Sequence, residues 1–166
     1  TFVQLPIITP FALSLGANYA FAGAIVAIYS LTNMLGNVVG GHWIDQWGRK
    51  KMLIVSILFI IGILLLYPLA RNASELFIIR FLHGLAGGIL IPAAFAYVGD
   101  LTEQKTRGKS MAYAGASIGI AAIIGPAIGG VMAAKVSIPA VFLLIALLFS
   151  FSLIYLLFLG QDTYQK

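Results

Sequence analysis

The sequence predicts an all-α membrane protein. Apolar side chains make up 61% of its 166 residues, and charged side chains make up only 9%. Soluble domains are about 45–50% apolar and about 25% charged, and a small chain in water has too much surface to hide such an excess. No segment alternates apolar and polar residues in the way a barrel strand does. We therefore expect a bundle of helices that crosses a lipid bilayer.

The lengths of the apolar segments predict five complete membrane spans and one partial span. About 20 apolar residues are needed to cross roughly 30 Å of hydrocarbon at 1.5 Å per residue. The first segment is shorter, and with Pro6 and Pro10 we interpret it as the end of a truncated helix. Residues 16–18 predict a tight turn after it, and Ser74 is a candidate N-cap of the third complete span. The predicted spans, which form one transmembrane domain over 1–166, are about 1–15 (partial), 19–44, 52–70, 74–98, 111–134 and 138–159.

The basic residues predict the orientation of the bundle. Six lysines and arginines lie in the connections after the first and third complete spans, within 49–51 and 105–109. Only Arg71 and Lys135 lie in the connections on the opposite side. The richer side is therefore expected to be cytoplasmic, in a multi-pass protein of the plasma membrane. This placement explains the net charge of +5 without nucleic acid, and the absence of cysteine excludes a thiolate metal site.

The stretch Gly41-His42-Trp43-Ile44-Asp45-Gln46-Trp47-Gly48-Arg49-Lys50 is the most specific motif in the chain. On physical grounds alone it is an ordinary basic loop, with a glycine for a tight turn. It also resembles the loop signature of the major facilitator superfamily, Gly-x-x-x-Asp-(Arg/Lys)-x-Gly-(Arg/Lys)-(Arg/Lys). The matching residues are Gly41, Asp45, Gly48, Arg49 and Lys50. Gln46 departs from the pattern, because the family usually has a basic residue there. In that family the loop joins the second and third spans, so the resemblance implies the N-terminal six-helix bundle of a transporter, with its first helix truncated.

The same resemblance implies a cytoplasmic gate. In the family, charges at the end of the fourth span pair with the loop signature, which here suggests a latch of Asp45, Arg49, Asp100 and Arg107. Single ion pairs at a surface contribute roughly 0–1 kcal/mol, which suits a gate that has to open. The alternative is that these residues are solvated surface charges.

Arg80 is the only charged residue well inside a predicted span. A central arginine costs at least about 2.5 kcal/mol unless it faces water or a partner, so we expect a function, with snorkelling to the outer surface as the alternative. Arg80-x-x-His83-Gly84 resembles the fourth-span signature of the superfamily, which implies a role for the arginine in proton coupling. His83 is a second candidate for titration, although a lone histidine is more often a packing residue. No carboxylate lies well inside a complete span, so we expect the titrating acid elsewhere in the protein.

The fifth span contains six residues that thin and bend a helix: Gly115, Gly119, Gly125, Pro126, Gly129 and Gly130. Glycines four apart allow close helix packing, and proline kinks a helix. Gly-Pro-x-x-Gly-Gly in this span also resembles the antiporter signature that drug:proton antiporters of the superfamily share. That resemblance favours export.

These features together predict a secondary transporter that exports small organic, drug-like compounds in exchange for protons. Tyr29 and Asn33, four residues apart on one helix face, are candidate cavity residues, with core packing as the alternative. The expected partners are the lipid bilayer, a small-molecule substrate, protons and a missing C-terminal half, and no cofactor is expected.

Three alternative functions remain. A symporter or uniporter of a small metabolite would share the fold, but the residues at 160–166 lack the Pro-Glu-Ser-Pro-Arg-like segment that sugar porters usually carry there. A membrane-embedded enzyme would need clustered catalytic side chains, and His42 and His83 have no such partners nearby in sequence. A channel-like or structural bundle would leave Arg80 without a purpose.

Overall fold

The computed structural model describes residues 2–160, and over that range the chain is helical with no strand. Thr1 and residues 161–166, including most of the segment that argued against sugar transport, lie outside the described residues. Single 3₁₀ turns precede the first helix (Phe2–Gln4) and follow the third (Tyr67–Leu69). The helices are α1 (Leu5–Ser14), α2 (Tyr19–Trp47), α3 (Arg49–Leu66), α4 (Ala73–Leu101), α5 (Arg107–Lys135) and α6 (Ile138–Phe158).

Five of these helices, α2 to α6, are long and apolar enough to cross a membrane within the described part of the chain. α2, α4 and α5 each have 29 residues, or about 44 Å at 1.5 Å per residue. They are therefore longer than the roughly 30 Å of hydrocarbon and extend past it or tilt. The predicted all-α membrane fold is confirmed.

Two glycines with positive φ make the sharp turns at the ends of α2. Gly16 has φ +88° in the turn before α2, and Gly48 has φ +90° where α3 follows directly. An L-residue with a side chain rarely adopts this backbone conformation. Asn18 then begins α2 as its N-cap, because its side chain accepts a hydrogen bond from the Phe21 amide at 2.8 Å. Because Gly48 is the whole connection, α3 begins at Arg49 rather than near residue 52.

The N-cap of α4 is Asn72, so the prediction of Ser74 was wrong. The Asn72 side chain accepts a hydrogen bond from the Glu75 amide at 2.9 Å, and Glu75 in turn accepts one from the Arg71 amide at 2.8 Å. This reciprocal arrangement satisfies amides that the first helical turn leaves unpaired. Ser74 lies inside the helix, since asparagine two positions earlier already provides the cap.

The helices pack around α4, which contacts α2 along its length and also contacts α3. α3 packs in turn on α6, while α5 lies most closely against the 3₁₀ turn Phe2–Gln4 and also contacts α6, α1 and α4. One buried apolar cluster joins α1, α2, α3, α4 and α6 and includes Tyr67, Leu76 and Phe142. A second buried cluster includes Ile44 near the end of α2, Met52 near the start of α3 and Leu156 near the end of α6. We call this end of the bundle, which carries Arg49, Lys50 and Lys51, the basic face.

Candidate functional site

Arg80 is buried in the centre of the helix bundle and has partners there. Its side chain is 2% exposed, and its guanidinium lies over the Tyr29 ring, 4.3 Å from the ring centroid. Arg80 Nε also donates a hydrogen bond to the Ile25 carbonyl at 3.4 Å. Arg80 lies eight residues after the cap Asn72, about 12 Å along the helix. The snorkelling alternative is therefore wrong, because the side chain turns inward to α2 and not outward to the membrane surface.

His83 lies one turn further along α4 and continues the same cluster. It is also 2% exposed, and its Nδ1 shares a 2.9 Å hydrogen bond with the Tyr67 hydroxyl. Its ring stands edge-on to Tyr29, with centroids 5.3 Å apart, and Tyr67 stacks on Phe142 at 4.0 Å. The packing interpretation of His83 thus has a geometric basis, and its proposed titration stays a prediction. Tyr67 was missed from the sequence, because nothing in its local pattern shows that the end of α3 faces the middle of α4.

A cavity of about 760 Å³ opens beside this cluster. Tyr29, Asn33 and His83 line it from α2 and α4, so the structure brings the two candidate cavity residues together with the histidine. Gly87 leaves room for them, since a Cβ added there would lie 2.8 Å from the Tyr29 hydroxyl and 3.2 Å from Asn33 Nδ2. One turn further along α2, Asn37 Nδ2 donates a hydrogen bond to the Asn33 carbonyl at 3.0 Å.

The opposite walls of the cavity come from α5 and α6. They contribute Ser117, Ile118 and Ala121 from α5 and Phe149 and Ser152 from α6. Sequence reasoning missed these residues. The only signal was that Ser117 interrupts an otherwise apolar and glycine-rich helix, which marks a polar position but not the direction in which it faces. The cavity is therefore mostly apolar, with a few hydroxyl and amide groups that converge on it.

At the basic face, the structure pairs Arg49 with Asp100 in an ion pair. The neighbouring Lys50 Nζ donates a 2.8 Å hydrogen bond to the Gly160 carbonyl, just beyond the end of α6. A cation at the C-terminus of a helix is favourable because the carbonyl groups there carry partial negative charge. The start of α3 thereby holds the ends of both α4 and α6. The Lys50 contact was missed, because 110 positions separate its partners.

The other two residues of the predicted latch are not joined to this pair. Among residues 2–160, Asp45 and Arg107 form no ion pair, and both are exposed. Gly41 is on the same side of α2 as Asp45, and a Cβ added there would meet no atom within 4 Å. The gate role of these residues stays a prediction.

The glycines of α5 divide between two faces. Gly125 and Gly129 are buried and allow the 3₁₀ turn Phe2–Gln4 to approach, since added Cβ atoms would contact Phe2 and Val3. Gly115, Gly119 and Gly130 have open space around them within the described chain. Pro126 lies inside α5 without ending it. The predicted close packing is therefore observed on one face of this helix, whereas a Cβ added at the glycines of the other face would meet no other segment within 4 Å in the described chain.

A metal site needs several histidine, cysteine or carboxylate side chains that lie close together. Within residues 2–160, no three histidine or carboxylate side chains come close enough together to hold a metal ion. Arg80 provides a fixed positive charge, because arginine does not release its proton in proteins. The arrangement can bind a small organic molecule in an apolar cavity next to a buried cation.

Membrane-spanning helices that surround a cavity are a feature of secondary transporters. The chain belongs to the Major Facilitator Superfamily, because the sequence model of that family matches residues 1–166. The family resemblance is confirmed. The chain is accordingly part of a multi-pass integral membrane protein, and the match assigns it to transport proteins rather than to membrane-embedded enzymes.

Several curated relatives are similar to this chain. Multidrug resistance protein 1 of Bacillus subtilis (strain 168) is 35% identical over 111 residues, which cover 67% of this chain and 28% of that protein. Multidrug resistance protein 2 of the same organism is 33% identical over 129 residues, or 78% of this chain and 32% of that protein. Quinolone resistance protein NorA of Staphylococcus aureus (strain N315) is 26% identical over 129 residues, or 78% of this chain and 33% of that protein. The matched part is thus about a third of the length of these relatives.

Proposed function

We propose that this chain is the N-terminal six-helix half of a plasma-membrane exporter, which moves small drug-like compounds out of the cell in exchange for protons. The observation that carries the proposal is the buried Arg80, stacked on Tyr29 at the side of an apolar cavity of about 760 Å³. Relatives named for multidrug and quinolone resistance support export of organic compounds. The glycine-proline pattern at 125–130 supports exchange rather than symport.

The proposed mechanism uses Arg80 as an electrostatic partner. A buried cation favours the ionised form of a nearby carboxylate, and an arginine keeps its charge throughout a transport cycle. The carboxylate would come from the rest of the protein, because none of the carboxylates in residues 2–160 lies beside Arg80. Protonation of that acid would weaken its attraction to Arg80, so proton binding and cavity shape would be linked. A lipophilic substrate would contact Tyr29 and Phe149 on this wall of the cavity.

Alternating access requires two halves that move against each other around a central site. The chain alone is therefore expected not to transport, and the remaining part would supply the second six-helix bundle. The open glycines at 115, 119 and 130 and the open Gly41 are the surfaces that this second half would cover.

The proposal is tested with the full-length protein in everted membrane vesicles. An acidic interior is first established, and a panel of lipophilic cationic compounds is then added while a pH-sensitive dye reports the gradient. Exchange of drug for protons is expected to dissipate the gradient in vesicles with the transporter and not in vesicles without it. Absence of a response to every compound of a broad panel would contradict export by proton exchange.

The role of Arg80 is tested by Arg80→Lys. Lysine keeps the charge but loses the planar group that stacks on Tyr29 and the Nε donor to Ile25, and the two side chains are not interchangeable at stacked sites. We expect drug-dependent proton flux to fall at least tenfold while the protein still inserts. The matched control is Arg71→Lys, at the exposed connection before α4, which should transport normally. Full activity of Arg80→Lys would remove the coupling role.

A further inference from the structure

An apolar groove of about 370 Å³ lies between α2, α3 and α4, away from the central cavity. Its lining runs from Met52 to Ile63 along α3 and reaches Leu82 and Ile89 on α4. The eleven helical steps from Met52 to Ile63 correspond to about 16 Å, which is close to half of the roughly 30 Å hydrocarbon core. The groove therefore extends from the basic face to about the middle of the bilayer, which is the depth that the acyl chain of one leaflet occupies.

Two tryptophans stand at the end of the groove nearest the basic face. Trp43 and Trp47 line it and stack on each other with centroids 6.3 Å apart and planes 16° from parallel. They are 42% and 55% exposed, so they face the exterior of the bundle. Tryptophan is favoured at the level of lipid headgroups, because its ring is apolar and its N–H is polar. This end of the groove is thus at the height of the headgroups.

The same end carries three cations, and within residues 2–160 only one of them forms an ion pair. Arg49, Lys50 and Lys51 occupy the first turn of α3, which has neither an acidic residue nor a side-chain cap. The amides of a helix N-terminus favour anions, so three cations there are unfavourable. Arg49 pairs with Asp100, and Lys50 binds the Gly160 carbonyl. Lys51 lies over the Trp47 ring at 5.9 Å and has no carboxylate within ion-pair distance among residues 2–160.

We propose that this groove is a binding site for an anionic glycerophospholipid of the leaflet at the basic face. One acyl chain lies along α3 between Met52 and Ile63, and the phosphate group binds Lys51 and the uncapped start of α3. Trp43 and Trp47 contact the glycerol region. Charge complementarity selects an anionic lipid over a neutral one, because a polybasic site at a membrane surface gains about 1 kcal/mol per lysine.

The groove is on a different side of α2 from the surface assigned above to the second half of the transporter. Gly41 and Trp43 are two residues apart, which places them about 200° apart around the helix axis. Gly41 faces open space together with Asp45, whereas Trp43 faces α3 and the groove. A second half that covers Gly41 would therefore leave the groove open to lipid.

Tryptophan fluorescence tests this proposal directly, because Trp43 and Trp47 are the only two tryptophans in the sequence. The full-length protein, with any other tryptophan replaced by phenylalanine, is placed in nanodiscs of phosphatidylcholine. Equal small fractions of phosphatidylglycerol or phosphatidylcholine with brominated chains are then added as quenchers. We expect brominated phosphatidylglycerol to associate about fivefold more strongly than brominated phosphatidylcholine, and high salt to reduce this preference. Equal quenching by the two lipids would overturn the proposal. The same result is expected if another segment of the protein covers the groove.

Two pairs of variants locate the site. Lys51→Gln should remove the preference for phosphatidylglycerol, whereas Lys109→Gln should keep it. Lys109 is a matched control, because it also lies over an aromatic ring, that of Tyr113 at 5.8 Å, but lines no part of the groove. Val55→Phe should fill the groove and weaken quenching by both lipids, whereas Leu143→Phe, at an exposed site on α6, should not. Retention of the preference in Lys51→Gln would overturn the proposal even if Val55→Phe fails to fold. None of these measurements depends on transport.

Discussion

At the scale of single residues, the buried polar groups of α4 show how a charge is tolerated inside a membrane bundle. Arg80 is held by the Tyr29 ring and the Ile25 carbonyl, which are an aromatic face and a backbone acceptor rather than a carboxylate. His83 is held by the Tyr67 hydroxyl. Both side chains therefore have local partners within the bundle.

The contact between Tyr67 and His83 gives a prediction on stability. Tyr67→Phe keeps the stacking on Phe142 but leaves a buried ring nitrogen of His83 without its partner. Loss of one partner of a buried hydrogen bond costs about 1–3 kcal/mol, and we expect a loss of this size in the free energy of unfolding, measured by denaturation of the purified protein in detergent. The control is Tyr113→Phe, where the side chain is 65% exposed. Equal stability of the two variants would show that the hydrogen bond contributes little.

At the scale of elements, the contact between α2 and α4 depends on glycines that let two backbones meet. A Cβ added at Gly88 would contact the Asn33 carbonyl and lie 2.8 Å from the Asn37 amide nitrogen. These are backbone atoms of α2, which cannot rotate away as a side chain can. A Cβ at Gly84 would contact the backbone carbonyl of Tyr29 and the side chain of Thr32. The crossing of α2 and α4 places Tyr29 over Arg80, so the glycines determine the geometry of the site indirectly.

Gly88→Ala is therefore expected to separate the two helices. Overpacking of this kind costs about 1–3 kcal/mol, and the separation should also lower drug-dependent proton flux. The matched control is Gly62→Ala towards the C-terminal end of α3, where an added methyl group meets no atom within 4 Å and alanine favours the helix. Thermal unfolding of both variants in detergent compares them. A Gly88→Ala protein as stable as Gly62→Ala would contradict the close approach of the two helices.

At the scale of the whole molecule, the basic face combines two kinds of contact. Arg49 and Lys50 hold the ends of α4 and α6, while Asp45 and Gly41 face outward. These contacts hold the connection between α2 and α3 in place. Its exposed side would therefore face the proposed second half at a constant position. The ion pair itself is partly exposed, at 39% for Arg49 and 20% for Asp100, so it contributes roughly 0–1 kcal/mol.

Asp100→Asn tests whether this pair acts on the gate. Loss of up to about 1 kcal/mol corresponds to a change of up to about fivefold in an equilibrium, so we expect the cavity to be up to about fivefold more accessible from the basic face. A single cysteine introduced at Asn33 reports this access by its labelling rate, since the chain has no cysteine of its own. Glu103→Gln, at an exposed position on the same face, is the control. Identical labelling rates in the two variants would mean that the pair has no effect on the gate.

The sequence predicted the helices and their membrane character because both depend on local composition and length. Gly48 and the turn at 16–18 illustrate this, since turn residues act on their immediate neighbours. The N-cap of α4 was misplaced by two residues because Asn72 and Ser74 are both good caps, and only the backbone conformation decides between them. In the same way, Arg80 was identified because a charge inside an apolar segment stands out without any knowledge of its neighbours.

The sequence by itself thus determined a helical membrane bundle, its family and the position of the charged residue Arg80 inside a span. The tertiary structure alone decided which groups face that charge. Tyr29 lies 51 positions before Arg80, and Tyr67 lies 16 before His83, so these contacts depend on how α2, α3 and α4 cross. The same holds for Lys50 and Gly160, and for the groove beside Trp43. Such contacts depend on the rotation of each helix about its axis, which small differences in packing set and which an almost uniformly apolar sequence does not encode locally.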